Sequence, residues 1–172
     1  LARQALTSGV KRMVFVSSIG VNGNSNSVPF TESDPPNPQQ EYARSKWRAE
    51  QQLQALLANS DMELVIIRPP LVYGFDAPGN FGRLIQLTRY ALPLPLAAIS
   101  NSRSLVSIEN LVDFITLCCR HSAAAGEVFL VADGEDLSTS TLLRELAAAL
   151  LWRYPGGQYC RLPADRLPVW PV

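Results

Sequence analysis

The sequence predicts an α/β fold, a mainly parallel, doubly wound sheet of which only the later strands are encoded, followed by a smaller second portion. Apolar runs of strand length alternate with longer amphipathic segments along the chain. Such alternation is typical of strands joined by crossover helices, which leave neighbouring strands parallel. The composition agrees with a globular piece, since 47% of the 172 residues are hydrophobic and 17% are charged.

Periodicity and capping residues predict the elements in turn. A continuous apolar run indicates a buried strand, whereas apolar residues three and four apart indicate an amphipathic helix. The predicted elements are the last turns of a helix at 1–8, a buried strand at Val10–Val16, a helix at Glu41–Ala58, the segments Gly79–Tyr90 and Arg103–Ile108, a helix at Glu109–Arg120, a strand at Glu127–Val131 and a helix at Ser138–Trp152. The chain divides near Gly74 into residues 1–74 and 75–172.

One short motif narrows the chemistry, because Tyr42 and Lys46 lie four residues apart in the predicted helix Glu41–Ala58. This spacing places both side chains on one face of the helix, one turn apart. An ammonium group beside a phenol stabilises the phenolate, which favours proton transfer by tyrosine. Lys46 and Lys11 are the only lysines in a chain that otherwise uses arginine, and guanidinium does not simply replace a compact ammonium.

Two serines complete this candidate catalytic group. Ser17 and Ser18 end the predicted strand Val10–Val16, and open α/β sheets bind their ligands at the carboxyl ends of strands. A serine hydroxyl there can orient a substrate oxygen while Tyr42 removes or returns its proton. These residues together indicate hydride-transfer chemistry at a carbon that bears oxygen.

The chain resembles the extended short-chain dehydrogenase/reductase family (NAD-dependent epimerases/dehydratases), and within it the nucleotide-sugar epimerases and 4-keto-sugar reductases. The motifs that carry the resemblance occur in the family's order: Val14–Gly23, Phe30–Asp34, Tyr42–Lys46, Val65–Gly74, Arg103–Val106 and Asn110–Asp113. It implies that residues 1–74 are the carboxyl-terminal half of a Rossmann-like cofactor domain. Residues 75–172 would then hold the remaining sheet strand and part of a substrate-binding region.

The resemblance also implies roles for residues at matching positions. Ser18 becomes the catalytic serine, Tyr42 the acid/base, and Lys46 the residue that contacts the nicotinamide ribose of NAD or NADP. The implied cofactor-binding residues are Ser17, Tyr42, Lys46, Pro69 and Pro70. The implied substrate-binding residues are Ser18, Gly20, Asn22, Leu71, Asn80, Phe81 and Arg103. Arg103 is matched to the pyrophosphate, where a planar fork of donors suits phosphate oxygens.

Two positions depart from the family pattern. Many sugar-nucleotide epimerases have asparagine where this chain has Leu71, and a hydroxyl residue is common in 4-epimerases where it has Gly20. The segment Ile19–Gly23 is similar to that of bacterial O-antigen enzymes acting on UDP-N-acetylhexosamine derivatives, which implies polysaccharide biosynthesis.

A glycine-rich turn for the cofactor pyrophosphate is expected in this family but has no counterpart here, since the chain contains no Gly-x-x-Gly-x-x-Gly. The chain also begins at Leu1 rather than methionine. We therefore expect a fragment that lacks roughly the first hundred residues of the family pattern and is cut within the substrate domain. Without those residues, Val10–Val16 would have one apolar edge open to water.

The resemblance implies that the intact protein is an NAD(P)-dependent nucleotide-sugar 4-epimerase. Its substrate would be a UDP-hexose or UDP-N-acetylhexosamine, oxidised transiently at C4. One-way reduction of a UDP-4-keto-6-deoxy sugar uses the same residues, and a catalytically silent truncated segment is the alternative of another class. The family further implies a homodimer when intact and a cytoplasmic location.

Composition argues against other classes of function. Zero net charge with interspersed charges offers no basic face for nucleic acid. The most apolar stretch, Leu84–Ile99, contains Arg89 and two prolines and is too short to cross a bilayer of about 30 Å. His121 is the only histidine and the cysteines lack metal-ligand spacing, so we predict neither a metal site nor a Ser-His-Asp mechanism.

The cysteines and the histidine are expected to be structural. We expect His121 to end its helix near the negative pole of the helix dipole. Buried thiols are expected for all three cysteines, Cys118, Cys119 and Cys160.

Overall fold

The computed structural model describes residues 1–74, 82, 85 and 101–151. The elements in chain order are α1 (Ala2–Thr7), β1 (Arg12–Val16), a first 3₁₀ turn (Ile19–Val21), α2 (Glu41–Leu57), β2 (Glu63–Arg68), β3 (Leu71–Tyr73), β4 (Leu105–Ser107), α3 (Ile108–Cys118), a second 3₁₀ turn (Ser122–Ala124), β5 (Val128–Leu130) and α4 (Thr139–Leu151). The predicted boundaries agree with these to within two residues at each end. Apart from residues 82 and 85, the predicted segments Gly79–Tyr90 and Leu84–Ile99 lie outside the described residues.

All strand pairings within named strands are parallel in the described part of the chain. One sheet has the order β1-β2-β5, with Val14 opposite Val65 and Ile66 opposite Val128. β3 pairs with β4 in a second, two-stranded sheet. The chain passes from β1 to β2 through α2, and from β2 to β5 through the segment that contains α3. These parallel strands joined by helices confirm the predicted α/β class.

β2 lies at the centre of the three-stranded sheet and carries its most buried side chains. Val65 and Ile67 pack in one core cluster with Leu111 and Cys118 of α3. β2 is covered because strands pair with both of its edges, whereas β1 has a single strand partner among the described residues. All five residues of β1 are consequently only partly buried. The prediction that Val10–Val16 is a buried strand was therefore wrong, although the expected open edge is present in the described part.

Arg12, the first residue of β1, forms hydrogen bonds with β2 and with the end of α3. Its guanidinium donates from Nε to Glu63 Oε2 at 2.7 Å, and from Nη1 to the carbonyl oxygens of Cys118 at 2.8 Å and His121 at 2.7 Å. The last carbonyls of a helix lack partners within the helix. Arg12 therefore ties the end of α3 to β1 and β2.

His121 and the cysteines partly depart from the sequence-based expectations. α3 ends at Cys118, so His121 lies beyond the helix, and its Nδ1 accepts from the amide of Ala123 at 3.2 Å. Cys118 is buried as predicted, and this burial raises the pKa of its thiol. Cys119 is exposed, so the prediction of a buried thiol there was wrong, since adjacent helical residues point about 100° apart. Cys160 lies outside the described residues.

The described residues contain no group of three or more His, Cys, Asp and Glu side chains that could hold a metal ion. Nor does any helix in this part of the chain combine the length and apolarity needed to cross a membrane.

Candidate active site

Ser17 directly follows β1, at the carboxyl end of the strand. Its amide donates to the carbonyl oxygen of Ile67 at 2.7 Å, and only 3% of the residue is exposed. Its hydroxyl is the one buried side-chain polar atom without a hydrogen-bond partner among the described residues. Because an unpaired buried hydroxyl is costly, the Oγ of Ser17 is suited to a ligand group that enters the site.

Ser18 turns the chain out of the sheet. It caps the first 3₁₀ turn, and its Oγ accepts from the amide of Gly20 at 3.2 Å. The amide of Ile19, the residue after Ser18, donates to the carbonyl oxygen of Pro69 at 2.9 Å. A serine hydroxyl that accepts a backbone hydrogen bond keeps its own proton. Ser18 can therefore still donate to a substrate oxygen.

Gly20 allows the segment that follows Ser18 to lie close to α2. A Cβ added at Gly20 would be 3.2 Å from the Cβ of Ala43, which is buried. Contacts this short are tighter than ordinary packing, so a larger residue would require the turn to move away from the helix. The absence of a side chain at Gly20 thus keeps Ser18 near the helical turn that carries Tyr42.

Tyr42 and Lys46 lie one turn apart on α2, as their spacing predicts. Tyr42 is 60% exposed. The Nζ of Lys46 is 5.8 Å from the centroid of the Tyr42 ring and 5.1 Å from that of Phe15. The same Nζ donates to the carbonyl oxygen of Val16 at 3.0 Å. Since an ammonium carries three donors, Lys46 joins α2 to the end of β1 and retains donors for a ligand.

Pro69 and Pro70 follow the carboxyl end of β2, as Ser17 and Ser18 follow that of β1. Pro69 is buried, Pro70 is partly buried, and neither can donate a backbone hydrogen bond to a neighbouring strand because proline lacks an amide hydrogen. Leu71 begins β3 and packs against a hydrophobic cluster that contains Leu105 and Leu142. Leu71 therefore has an apolar packing role in the described structure.

Of the predicted substrate-binding residues Arg103, Asn80 and Phe81, the structure describes only Arg103. Arg103 pairs through its backbone with Leu137, at 2.9 and 3.0 Å. Its side chain is exposed and makes no hydrogen bond or ion pair within the described ranges. Asn80 and Phe81 lie outside the described residues.

Asn22, predicted to contact substrate, is buried and held by protein groups. Its Oδ1 accepts from Arg68 Nη1 at 3.0 Å, and its Nδ2 donates to the carbonyl oxygen of Thr31 at 3.2 Å. Arg68 also forms a buried ion pair with Glu50 of α2. Sequence reasoning missed Arg68 and Glu50, although two signals indicate them. Arg68 ends an apolar strand, and Glu50 lies four residues after Lys46 on the same helix face.

A second buried carboxylate, Asp133, joins β3 to β4 and α3. Its Oδ2 accepts from the hydroxyl of Tyr73 at 2.8 Å and from the amide of Ser107 at 2.9 Å. Its Oδ1 accepts from Nδ2 of Asn110 at 2.8 Å. Burial and, after it, the hydrogen bond to Asp133 raise the pKa of Tyr73 above its ordinary value.

Tyr73→Phe is expected to reduce the loss of stability at alkaline pH. The unfolded chain releases the tyrosine proton near its ordinary pKa of about 10, whereas folded Tyr73 holds it to higher pH. The contribution of the Tyr73 hydroxyl to the free energy of unfolding is therefore fully present below about pH 10 and is lost as the pH rises further. Urea unfolding of the wild type and of Tyr73→Phe is measured from about pH 7 upward. Above about pH 10, the free energy of unfolding should fall less steeply with pH in the variant. Parallel declines would contradict this assignment.

Comparison with known proteins identifies the family to which the chain is similar. Residues 1–132 match the NAD dependent epimerase/dehydratase family. The chain is 50% identical over 166 residues to a UDP-glucose 4-epimerase of Vibrio cholerae, a match that covers 93% of this chain and 51% of that relative. It is 31% identical over 150 residues to the N-acetyl-alpha-D-glucosaminyl-diphospho-ditrans,octacis-undecaprenol 4-epimerase of Escherichia coli O157:H7, covering 86% of this chain and 45% of the relative.

A solved structure shows the same fold. The dTDP-glucose 4,6-dehydratase of Streptomyces venezuelae, determined with NAD bound, matches with a TM-score of 0.74 and 26% identity. That match covers 87% of this chain and 47% of the other. The chain thus spans about half the length of each of these three relatives.

Proposed function

This chain belongs to the NAD-dependent epimerase/dehydratase family, and we propose that the protein is a nucleotide-sugar 4-epimerase that interconverts the C4 epimers of a UDP-hexose or UDP-N-acetylhexosamine. The placement of the Lys46 ammonium carries the proposal, since it lies beside the Tyr42 ring and at the end of β1. The 50% identity to the UDP-glucose 4-epimerase of Vibrio cholerae supports this class of substrate.

The residues at the end of β1 fit the nicotinamide half of NAD. Ser17 has an unpaired buried hydroxyl, and Lys46 has donors beyond its bond to Val16. We propose that these two residues, with Tyr42, Pro69 and Pro70, hold the nicotinamide and its ribose. When bound, the nicotinamide supplies reversible uptake of a hydride. The NAD found with the Streptomyces venezuelae structure supports this choice of cofactor.

Tyr42 and Ser18 divide the proton chemistry at the sugar. Ser18 donates a hydrogen bond to O4 and orients it. Tyr42 takes the O4 proton while C4 gives up its hydride to the nicotinamide and the C4–O4 bond becomes a carbonyl. The ammonium of Lys46, 5.8 Å from the centroid of the Tyr42 ring, favours this transfer because its positive charge offsets the negative charge that develops on the ring oxygen. After the keto sugar turns, the hydride returns to the other face of C4 and Tyr42 returns the proton to O4.

The diphosphate of the substrate needs a cationic partner. We propose that Arg103 contacts the pyrophosphate, because its exposed guanidinium has no partner within the described residues and its planar donors suit phosphate oxygens. Family resemblance supports three broader proposals: a homodimer, a cytoplasmic location and a role in polysaccharide biosynthesis.

An assay of the full-length gene product tests the proposed function. The protein is incubated with UDP-glucose, UDP-galactose or their N-acetylated counterparts, without added NADPH. Sustained interconversion of C4 epimers is the expected result. Turnover only with NADPH and a UDP-4-keto-6-deoxy sugar would replace the epimerase with the reductase. No turnover together with no saturable NAD binding would favour the catalytically silent alternative.

A further inference from the structure

We propose that Arg68 is a positioning residue, which sets the arrangement of Ser18 relative to Tyr42 and Lys46 without touching the substrate. This inference rests on the proposed function and deepens it, because it names how the three side chains are held together. The contacts of Arg68 with two other buried side chains carry the argument.

The first contact is a buried, two-pronged ion pair to α2. Arg68 Nε donates to Glu50 Oε1 at 3.1 Å, and Nη2 donates to Oε2 at 2.6 Å. Glu50 is 0% exposed and Arg68 4% exposed. The Cζ of Arg68 also lies 5.9 Å from the centroid of the Trp47 ring. Two parallel hydrogen bonds fix orientation as well as distance, so this pair sets how α2 lies against β2.

The second contact reaches the segment that begins at Ser18. Arg68 Nη1 donates to Asn22 Oδ1 at 3.0 Å, and Asn22 directly follows the first 3₁₀ turn. Asn22 in turn donates to the carbonyl oxygen of Thr31 at 3.2 Å. One planar cation therefore contacts both the segment that carries Ser18 and the helix that carries Tyr42.

The sequence positions of these contacts place them close to the site. Glu50 lies one helical turn after Lys46, which lies one turn after Tyr42. Arg68 directly precedes Pro69, whose carbonyl oxygen accepts from the amide of Ile19. A shift of the guanidinium would thus be passed to both elements that hold the catalytic side chains.

Stability alone does not account for this network. Removing two charges from water is costly, and apolar residues of similar volume often stabilise a protein as well as a buried ion pair does. A second arginine–glutamate pair, Arg12–Glu63, joins β1 and β2 at the opposite end of the sheet and leaves Glu63 46% exposed. Of the ion pairs among the described residues, the pair that is buried on both sides is the one beside the site.

The test compares Arg68→Lys with Arg12→Lys in the full-length protein. Lysine keeps the charge but cannot hold Glu50 and Asn22 with one planar fork. We expect Arg68→Lys to lower kcat for epimerisation by about 100-fold with little change in KM, since small misplacements of reacting groups have effects of this size. Arg12→Lys should leave kcat near the wild-type value. Equal kcat values for the two variants would overturn the proposal.

A double variant separates positioning from stability. Glu50→Leu/Arg68→Met replaces the pair by apolar side chains, so no unpaired charge stays buried, and its Tm is expected to lie closer to that of the wild type than the Tm of a variant that lacks Glu50 alone. It should still epimerise about 100-fold more slowly, because Asn22 then keeps its bond to Thr31 but loses its link to β2 and α2. Wild-type activity in this variant would show that the network has only a structural role.

Hydrogen exchange gives a readout that does not depend on the reaction. In Arg68→Lys, the amides of Ile19, Val21 and Asn22 are expected to exchange faster than in Arg12→Lys. Indistinguishable exchange over residues 19–22 would overturn the positioning role. If the wild-type protein does not epimerise any nucleotide sugar, the proposed function fails, and the exchange comparison alone decides the role of Arg68.

Discussion

Tyr42→Phe is expected to lower kcat for epimerisation by about 100-fold to 10,000-fold, the range found for the loss of a general acid or base. The variant keeps the aromatic ring, so the ring can still lie 5.8 Å from the Nζ of Lys46. It loses only the hydroxyl for which we propose the transfer of the O4 proton. Because Tyr42 is 60% exposed, no buried partner is left unsatisfied, and Tm should not change. Steady-state kinetics with a UDP-hexose and thermal unfolding give the two measurements.

Ser45→Ala is the matched control for this prediction. Ser45 lies between Tyr42 and Lys46, and its Oγ donates to the carbonyl oxygen of Tyr42 at 2.7 Å. The substitution therefore also removes one hydroxyl from the same helical turn. We expect kcat near the wild-type value. A comparable loss in both variants would assign the effect to the helix, and full activity of Tyr42→Phe would remove Tyr42 from the role of acid/base.

The parts of the site that the sequence predicts are those set by local spacing. Tyr42 and Lys46 are four residues apart, and helix geometry alone brings them to one face. Ser17 and Ser18 follow an apolar run that ends at Val16, so the position of both serines at the end of a strand is also a local property. The parallel arrangement could be predicted because strands alternate with segments long enough to form crossover helices.

Contacts between distant segments could not be predicted in the same way. Arg68 pairs with Glu50, 18 residues away, and with Asn22, 46 residues away. An arginine at the end of an apolar strand indicates that some partner is buried with it, but the identity of that partner depends on how α2 packs on the sheet. Family resemblance predicted that Asn22 contacts substrate. In the structure, its side chain forms hydrogen bonds with Arg68 and with the carbonyl oxygen of Thr31.

Burial likewise depends on neighbours rather than on composition. β1 and β2 are both apolar strands, yet β2 has strand partners on both edges and β1 has one among the described residues. Cys118 and Cys119 are identical in type and adjacent in sequence, and only the first faces the core. The apolar character of a residue therefore predicts that it can be buried, and the packing of other elements decides whether it is.

Glu50→Ala is expected to lower the free energy of unfolding by about 3–5 kcal/mol, the cost of breaking a buried ion pair by removing one partner. The substitution leaves the guanidinium of Arg68, which is 4% exposed, without its carboxylate and away from water. It also removes a side chain that fills the space between α2 and β2. Urea unfolding gives this free energy from the midpoint and the slope of the transition.

Glu63→Ala provides the comparison that isolates burial. Glu63 and Glu50 each pair with an arginine at 2.6 Å, but Glu63 is 46% exposed and Glu50 is 0% exposed. Exposed ion pairs contribute about 0.2–1 kcal/mol, so Glu63→Ala should have a much smaller effect. Equal losses in the two variants would contradict the role of burial. If the expected difference is found, the same desolvated charge that makes Glu50 costly to remove also explains how Arg68 can hold α2 in a fixed orientation beside the site.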